Sequence, residues 1–177
     1  LGGEIGSSLC QDNEIDVVRS FLEKAKNSKT KIFFPKDCLS TISLNKNSET
    51  KIIDISNVPP KWMGVDIGPK TIKLFRDIIS QSKSIMWNGP MGVSEIDRFA
   101  NGTMAVASSI INATNKGAYT LVGGGDTVSD INRLGLINEF SYVSTGGGAM
   151  LEFFKNTNLP GATNLKSLKT TFKNGKK

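Results

Sequence analysis

Three times in this chain an apolar run of strand-forming residues stops at a glycine-rich turn, and helix-spaced residues separate one such unit from the next. The runs are Ser84-Ile85-Met86-Trp87, Tyr119-Thr120-Leu121-Val122 and Tyr142-Val143-Ser144. The turns are Asn88-Gly89-Pro90-Met91-Gly92, Gly123-Gly124-Gly125 and Thr145-Gly146-Gly147-Gly148. Strands joined through helices form a parallel sheet, and a parallel sheet gathers its carboxyl-end loops on one rim. In open α/β sheets that rim is where ligands bind. The spacing therefore predicts an α/β fold with three glycine turns side by side.

The middle turn carries the clearest chemistry. In Leu121-Val122-Gly123-Gly124-Gly125-Asp126-Thr127 the glycines permit positive φ and let a ligand approach bare N–H groups, and a helix starting near Asp126 aims its positive dipole end at the same place. Asp126 is then a candidate Mg²⁺ ligand and Thr127 a candidate donor to a phosphate oxygen. The plainer alternative is a structural turn in which Asp126 or Thr127 only caps the helix. Three such turns on one rim favour a phosphate site. Neither G-x-G-x-x-G nor the Walker pattern G-x-x-x-x-G-K-[ST] is present, which argues against a standard dinucleotide fold and a P-loop NTPase.

Composition narrows the chemistry further. The 177 residues contain no histidine and only Cys10 and Cys38, so Cys/His zinc sites, Ser-His-Asp triads and Cys-His pairs cannot be assembled from them. The cysteines read as reduced structural thiols. Of the net charge of +6, five positive charges sit at Lys166, Lys169, Lys173, Lys176 and Lys177, so 166–177 reads as a solvated basic tail rather than a nucleic-acid surface. With no signal peptide and no apolar run of membrane-spanning length, a cytoplasmic protein bound to neither membrane nor nucleic acid is expected. The chain opens at Leu1 without an initiator Met, as a piece of a longer chain would.

Along the rest of the chain, Ile15, Val18, Phe21, Leu22 and Ala25 recur at helical spacing behind Asp12 or Asn13, predicting an amphipathic helix packed on a sheet. Lys31-Ile32-Phe33-Phe34-Pro35 and Lys51-Ile52-Ile53-Asp54-Ile55 read as short strands. Residues 58–69 read as a turn-rich loop that either walls a pocket or tucks Trp62 into the core. Pro69 starts a helix over about 70–82 with Ile72, Phe75, Ile78 and Ile79 on one face. A further helix carries Phe99, Met104, Ala107 and Ile111.

Four motifs together resemble the phosphoglycerate kinase family: Trp62-Met63-Gly64-Val65-Asp66-Ile67-Gly68-Pro69, Trp87-Asn88-Gly89-Pro90-Met91-Gly92-Val93, Gly123-Gly124-Gly125-Asp126-Thr127 and Ser144-Thr145-Gly146-Gly147-Gly148-Ala149. Their order and spacing agree along almost the whole chain, through Leu159-Pro160-Gly161. The resemblance implies a Rossmann-like, three-layer α/β/α fold with a mostly parallel sheet, the C-terminal lobe of a two-lobed kinase, with residues 1–165 as a partial nucleotide-binding domain. It implies reversible, Mg²⁺-assisted phosphoryl transfer between ATP and 3-phosphoglycerate in glycolysis, by an enzyme that is a monomer when complete. Carried over by motif position, Gly64 and Val65 line the adenine pocket, Asn88 and Pro90 lie against the nucleotide, and Glu95 binds ribose hydroxyls. Gly124, Gly125, Asp126 and Thr127 hold phosphates, with Asp126 on the metal. Gly125, Gly147 and Gly148 serve the phosphoryl group in transfer.

The resemblance covers only about the last two fifths of a family chain. The lobe that binds 3-phosphoglycerate, and a lysine that reaches the nucleotide phosphates, belong to the parts not represented, so the segment alone is expected not to turn over and to self-associate through exposed apolar surface. Ser94 stands where an aromatic residue is usual and Met150 where a small polar one is usual. Glu95, with Asp97 nearby, also has a plainer reading as a first-turn helix carboxylate. A non-catalytic nucleotide-binding or interaction module that kept the fold is the alternative function. A Rossmann-type oxidoreductase lacks its fingerprint.

Overall fold

The computed structural model describes residues 2–45 and 47–155. The tail 166–177 and Leu159-Pro160-Gly161 lie outside the described residues. The chain divides into two compact units, Leu1–Gln81 with Met91–Ser109, and Ser82–Pro90 with Ile110–Lys177.

The first unit contains β1 (Glu4–Ile5), α1 (Ile15–Lys26), β2 (Asp37–Thr41), β3 (Thr50–Asp54), β4 (Asn57–Val58), β5 (Met63–Ile67) and α2 (Pro69–Ile79). Strands β3, β2 and β5 form an antiparallel sheet in that order, and β1 pairs in parallel with β4. Residues 58–69, expected as a loop, thus contain the edge strand β5. Its Trp62 neighbour is half-buried beneath the Lys51 ammonium, 4.6 Å from the ring centroid, rather than sunk in the core.

The strand expected at Lys31–Pro35 is absent. That stretch is unpaired, Phe33 and Phe34 are exposed, and the central strand is the more polar Asp37–Thr41. Proline at 35 has no N–H for a ladder. In β2 the buried polar groups are satisfied: the Thr41 hydroxyl donates to the carbonyls of Ser43 and Glu49, and Ser40 lies 3.1 Å from the Cys38 thiol. Asp37 is buried, and its carboxylate accepts from the N–H groups of Lys70 and Thr71 and from the Thr71 hydroxyl, fastening the start of α2. Burial pushes this carboxyl up, but the hydrogen bonds outweigh it and hold it below the usual range.

Helix α1 forms over the expected residues, yet none of them is buried. Its apolar face opens on a groove of about 860 Å³ lined by Leu9, Ile15, Val18, Leu22, Ile32 and Phe34. The expected packing on a sheet is not made, because no described strand covers that face.

The second unit contains β6 (Ser84–Asn88), β7 (Tyr119–Gly123), α4 (Gly125–Arg133), β8 (Tyr142–Ser144) and α5 (Gly147–Lys155). Helix α3 (Asn101–Asn115) begins in the first unit and ends in the second. Strands β6, β7 and β8 are parallel and adjacent, as the repeated grammar requires. Val122 is fully buried at the centre of this sheet, and the Trp87 and Phe140 rings meet at 6.3 Å. The chain has a Rossmann-like α/β fold, and three of the five strand pairings among the described residues are parallel.

Candidate functional site: a glycine rim and a clamped turn

In the second unit the register places Asn88 beside Gly123 and Gly123 beside Ser144, so the three turns leave the sheet at one level. They also touch. Gly124 has φ +94°, and a Cβ there would stand 2.6 Å from Asn88 Oδ1. A Cβ on Gly147 would stand 2.6 Å from the Gly124 Cα and 2.7 Å from its nitrogen. Only glycine permits both conformation and contact. By contrast, a Cβ on Gly89, Gly125 or Gly148 would meet nothing within 4 Å, so these three face open space.

Two helices start at this rim. The first intrahelical bond of α4 runs from the Val128 N–H to the Gly124 carbonyl, 2.9 Å, and that of α5 from the Met150 N–H to the Gly146 carbonyl, 2.8 Å. The N–H groups of residues 125–127 and 147–149 precede those bonds. No side chain caps α4. Two positive dipole ends and a set of first-turn amides therefore meet where Gly147 abuts Gly124, an arrangement suited to phosphate oxygens.

Asp126 is exposed in the first turn of α4. Among the described residues no group of three His, Cys, Asp or Glu side chains is placed to cage a metal. One accessible carboxylate beside such a rim would suit Mg²⁺, which keeps several waters and takes its other ligands from bound phosphates. Thr127, expected as a phosphate donor, is fully buried, and its hydroxyl oxygen accepts from the Gly89 N–H at 2.7 Å. It ties the turn after β6 to the start of α4. Met150 is buried with its thioether end against Gly123, so the absence of a side chain at 123 makes room for the larger residue.

In the first unit, Gly64 and Val65 lie on β5. Gly64 is exposed and donates its N–H to Ser8 Oγ at 3.0 Å; Val65 is buried and its carbonyl accepts from the Val93 N–H at 2.8 Å. Glu95 is exposed and precedes both the 3-10 turn Asp97–Phe99 and α3, so it is not a first-turn residue of that helix. Ser94 is buried within the same turn. Pro90, in the second unit, is half-buried.

Sequence reasoning passed over Asp66, a carboxylate inside β5 that is 5% exposed. Its Oδ2 accepts from the Gly102 N–H at the start of α3, 2.7 Å, and its Oδ1 from the Ile67 N–H, 2.8 Å. Burial pushes the carboxyl up, opposed by those two N–H groups. The available signal was a lone carboxylate in an apolar run bracketed by Gly64 and Gly68.

Residues 1–157 match the family model for phosphoglycerate kinase. Phosphoglycerate kinase of Thermosipho africanus is 48% identical over 170 residues, 96% of this chain and 42% of the relative. That of Chloroherpeton thalassium is 45% identical over 160 residues, 90% of this chain and 40% of the relative. Among solved structures, phosphoglycerate kinase from Coxiella burnetii superposes with a TM-score of 0.87 at 36% identity, covering 94% of this chain and 42% of that one. The Pyrococcus horikoshii OT3 enzyme gives 0.72 at 30% identity, covering 87% of this chain and 37% of that one. The chain thus spans about two fifths of the length of these relatives. It belongs to the phosphoglycerate kinase family.

Proposed function

We propose that this chain carries the Mg-nucleotide site of a phosphoglycerate kinase, and that the longer protein moves a phosphoryl group reversibly between ATP and the carboxylate of 3-phosphoglycerate, in glycolysis and in the cytoplasm. The observation that supports this most is the contact of Gly147 with Gly124 and of Gly124 with Asn88, which gathers amide-bearing turns on one rim. Phosphoryl transfer asks for positioning and charge neutralisation rather than a protein nucleophile, and a chain without histidine meets that demand.

In the ATP-consuming direction a carboxylate oxygen of 3-phosphoglycerate bonds to the γ-phosphorus of ATP as the bond from phosphorus to the ADP oxygen breaks. The amides of Gly125, Gly147 and Gly148 hold the transferring group, and those of Gly124 through Thr127 hold the remaining phosphates. Asp126 would hold Mg²⁺, and the ion would supply charge neutralisation to the phosphate oxygens. Gly64 and Val65 receive the adenine, Asn88 and Pro90 lie against the nucleotide, and Glu95 takes the ribose hydroxyls, roles drawn from the family resemblance. By the same family resemblance, 3-phosphoglycerate is bound by a lobe that these residues do not represent.

Titration with MgADP tests the reading. The chain should bind, and Asp126→Asn should weaken binding about tenfold or more, as expected for loss of a charged ligand contact. Unchanged affinity in that variant removes Asp126 from the metal role.

A further inference from the structure

We infer that Asp66 is a positioning residue for the nucleoside end of the site: from inside β5 it fixes the turn 91–95 against Gly64 and Val65. This rests on the proposed nucleotide site and extends it to a side chain closed off from solvent.

The turn that carries Glu95 has no regular secondary structure of its own before Asp97. Three ties give it a defined place. The Val93 N–H donates to the Val65 carbonyl at 2.8 Å, and the Met91 N–H donates to Thr103 Oγ1 at 3.0 Å, on the first turn of α3. The third tie is steric, because a Cβ on Gly92 would stand 2.6 Å from Asp66 Oδ1, 2.6 Å from the Phe99 carbonyl and 2.7 Å from the Val65 carbonyl. Asp66 stands at the junction of these contacts. One carboxylate oxygen takes the Gly102 N–H that starts α3, the other takes the Ile67 N–H that follows on β5, and Gly92 packs on it directly.

Both oxygens accept from N–H groups, so the geometry calls for a carboxylate. An asparagine amide would turn an NH₂ group toward one of the two donors and break that tie, while alanine would leave a buried N–H unsatisfied. Freed at Gly102 or Ile67, the β5 end and the α3 start no longer bracket Gly92, and Glu95 loses its fixed distance to Gly64 and Val65. Thr103 acts on the same turn from its other side, and Thr103→Val removes the Met91 tie without changing the side-chain shape.

The test compares two ligands, MgADP and magnesium pyrophosphate, the second lacking the nucleoside. In Asp66→Asn and in Thr103→Val, MgADP binding should weaken about tenfold while magnesium pyrophosphate binding stays within about twofold of wild type. Amide resonances of residues 92–95 should shift in both variants, with those of 124–127 in place. Equal weakening of both ligands, or of neither, overturns the inference and leaves the nucleotide reading standing. Failure of the wild-type chain to bind MgADP overturns both.

Discussion

The glycines of the two units do different work. In the parallel sheet of the second unit, Gly89, Gly125 and Gly148 border open space; the missing side chains at Gly125 and Gly148 leave first-turn amides uncovered, while the Gly89 N–H is taken by Thr127. In the first unit, Gly68, Gly92 and Gly102 are sealed against buried carboxylates: Gly68 against Asp37, Gly92 and Gly102 against Asp66. The first set leaves the rim open and the second makes room for the protein's own anions. A glycine-rich motif therefore identifies a close approach, and the residue that approaches decides whether the position is a site or a joint.

Identical substitutions should separate the two kinds. Gly102→Ala forces a methyl onto the Asp66 carboxylate and Ile67, and it should cost about 3 kcal/mol in chemical denaturation. A loss under about 1 kcal/mol would show that the joint is soft. Asp37→Ala removes three hydrogen bonds at the start of α2 and should cost about 2 kcal/mol. Gly125→Ala should change stability by less than about 1 kcal/mol, because its Cβ enters free space, yet it should weaken MgADP binding by covering amides.

Acid sharpens the comparison of the two buried carboxylates. Asp37 is held below its unfolded value of about 3.9, so its stabilisation is complete above that pH and disappears as pH falls through the folded value. Asp66 is raised, so its effect runs the other way: relative stability is greatest below about pH 3.9 and declines as pH rises through its folded value. Unfolding free energy followed against pH should therefore show a shallower acid-side decline in Asp37→Asn and lose an opposing decline in Asp66→Asn. Parallel profiles for the two variants would contradict the opposite environments assigned to them.

The sheet that bears the rim was legible because period, glycine and strand length agree in each of its three repeats. Val122 and Trp87 are buried where the pattern puts them. The first unit was harder to read because its central strand is polar. Asp37 and Thr41 are buried through hydrogen bonds to partners outside their own strand, Thr71 and Glu49, which no local hydropathy pattern reports. The apolar Ile32-Phe33-Phe34 drew the strand assignment and lies outside it. Helix α1 was correctly delimited from its spacing, whereas what would cover its face is not written in its own residues. At the rim, motif position put forward Gly124, Gly125 and Asp126 as candidate ligand neighbours, while the inward turn of the Thr127 hydroxyl to Gly89 depends on a contact 38 residues away in sequence.

The most direct measurement is the backbone amide spectrum of the chain during MgADP titration. Gly89, Gly125, Gly147 and Gly148, from three separate turns, should shift together along one saturable isotherm. Saturable binding that leaves the turns after Trp87, Val122 and Ser144 unmoved would contradict it.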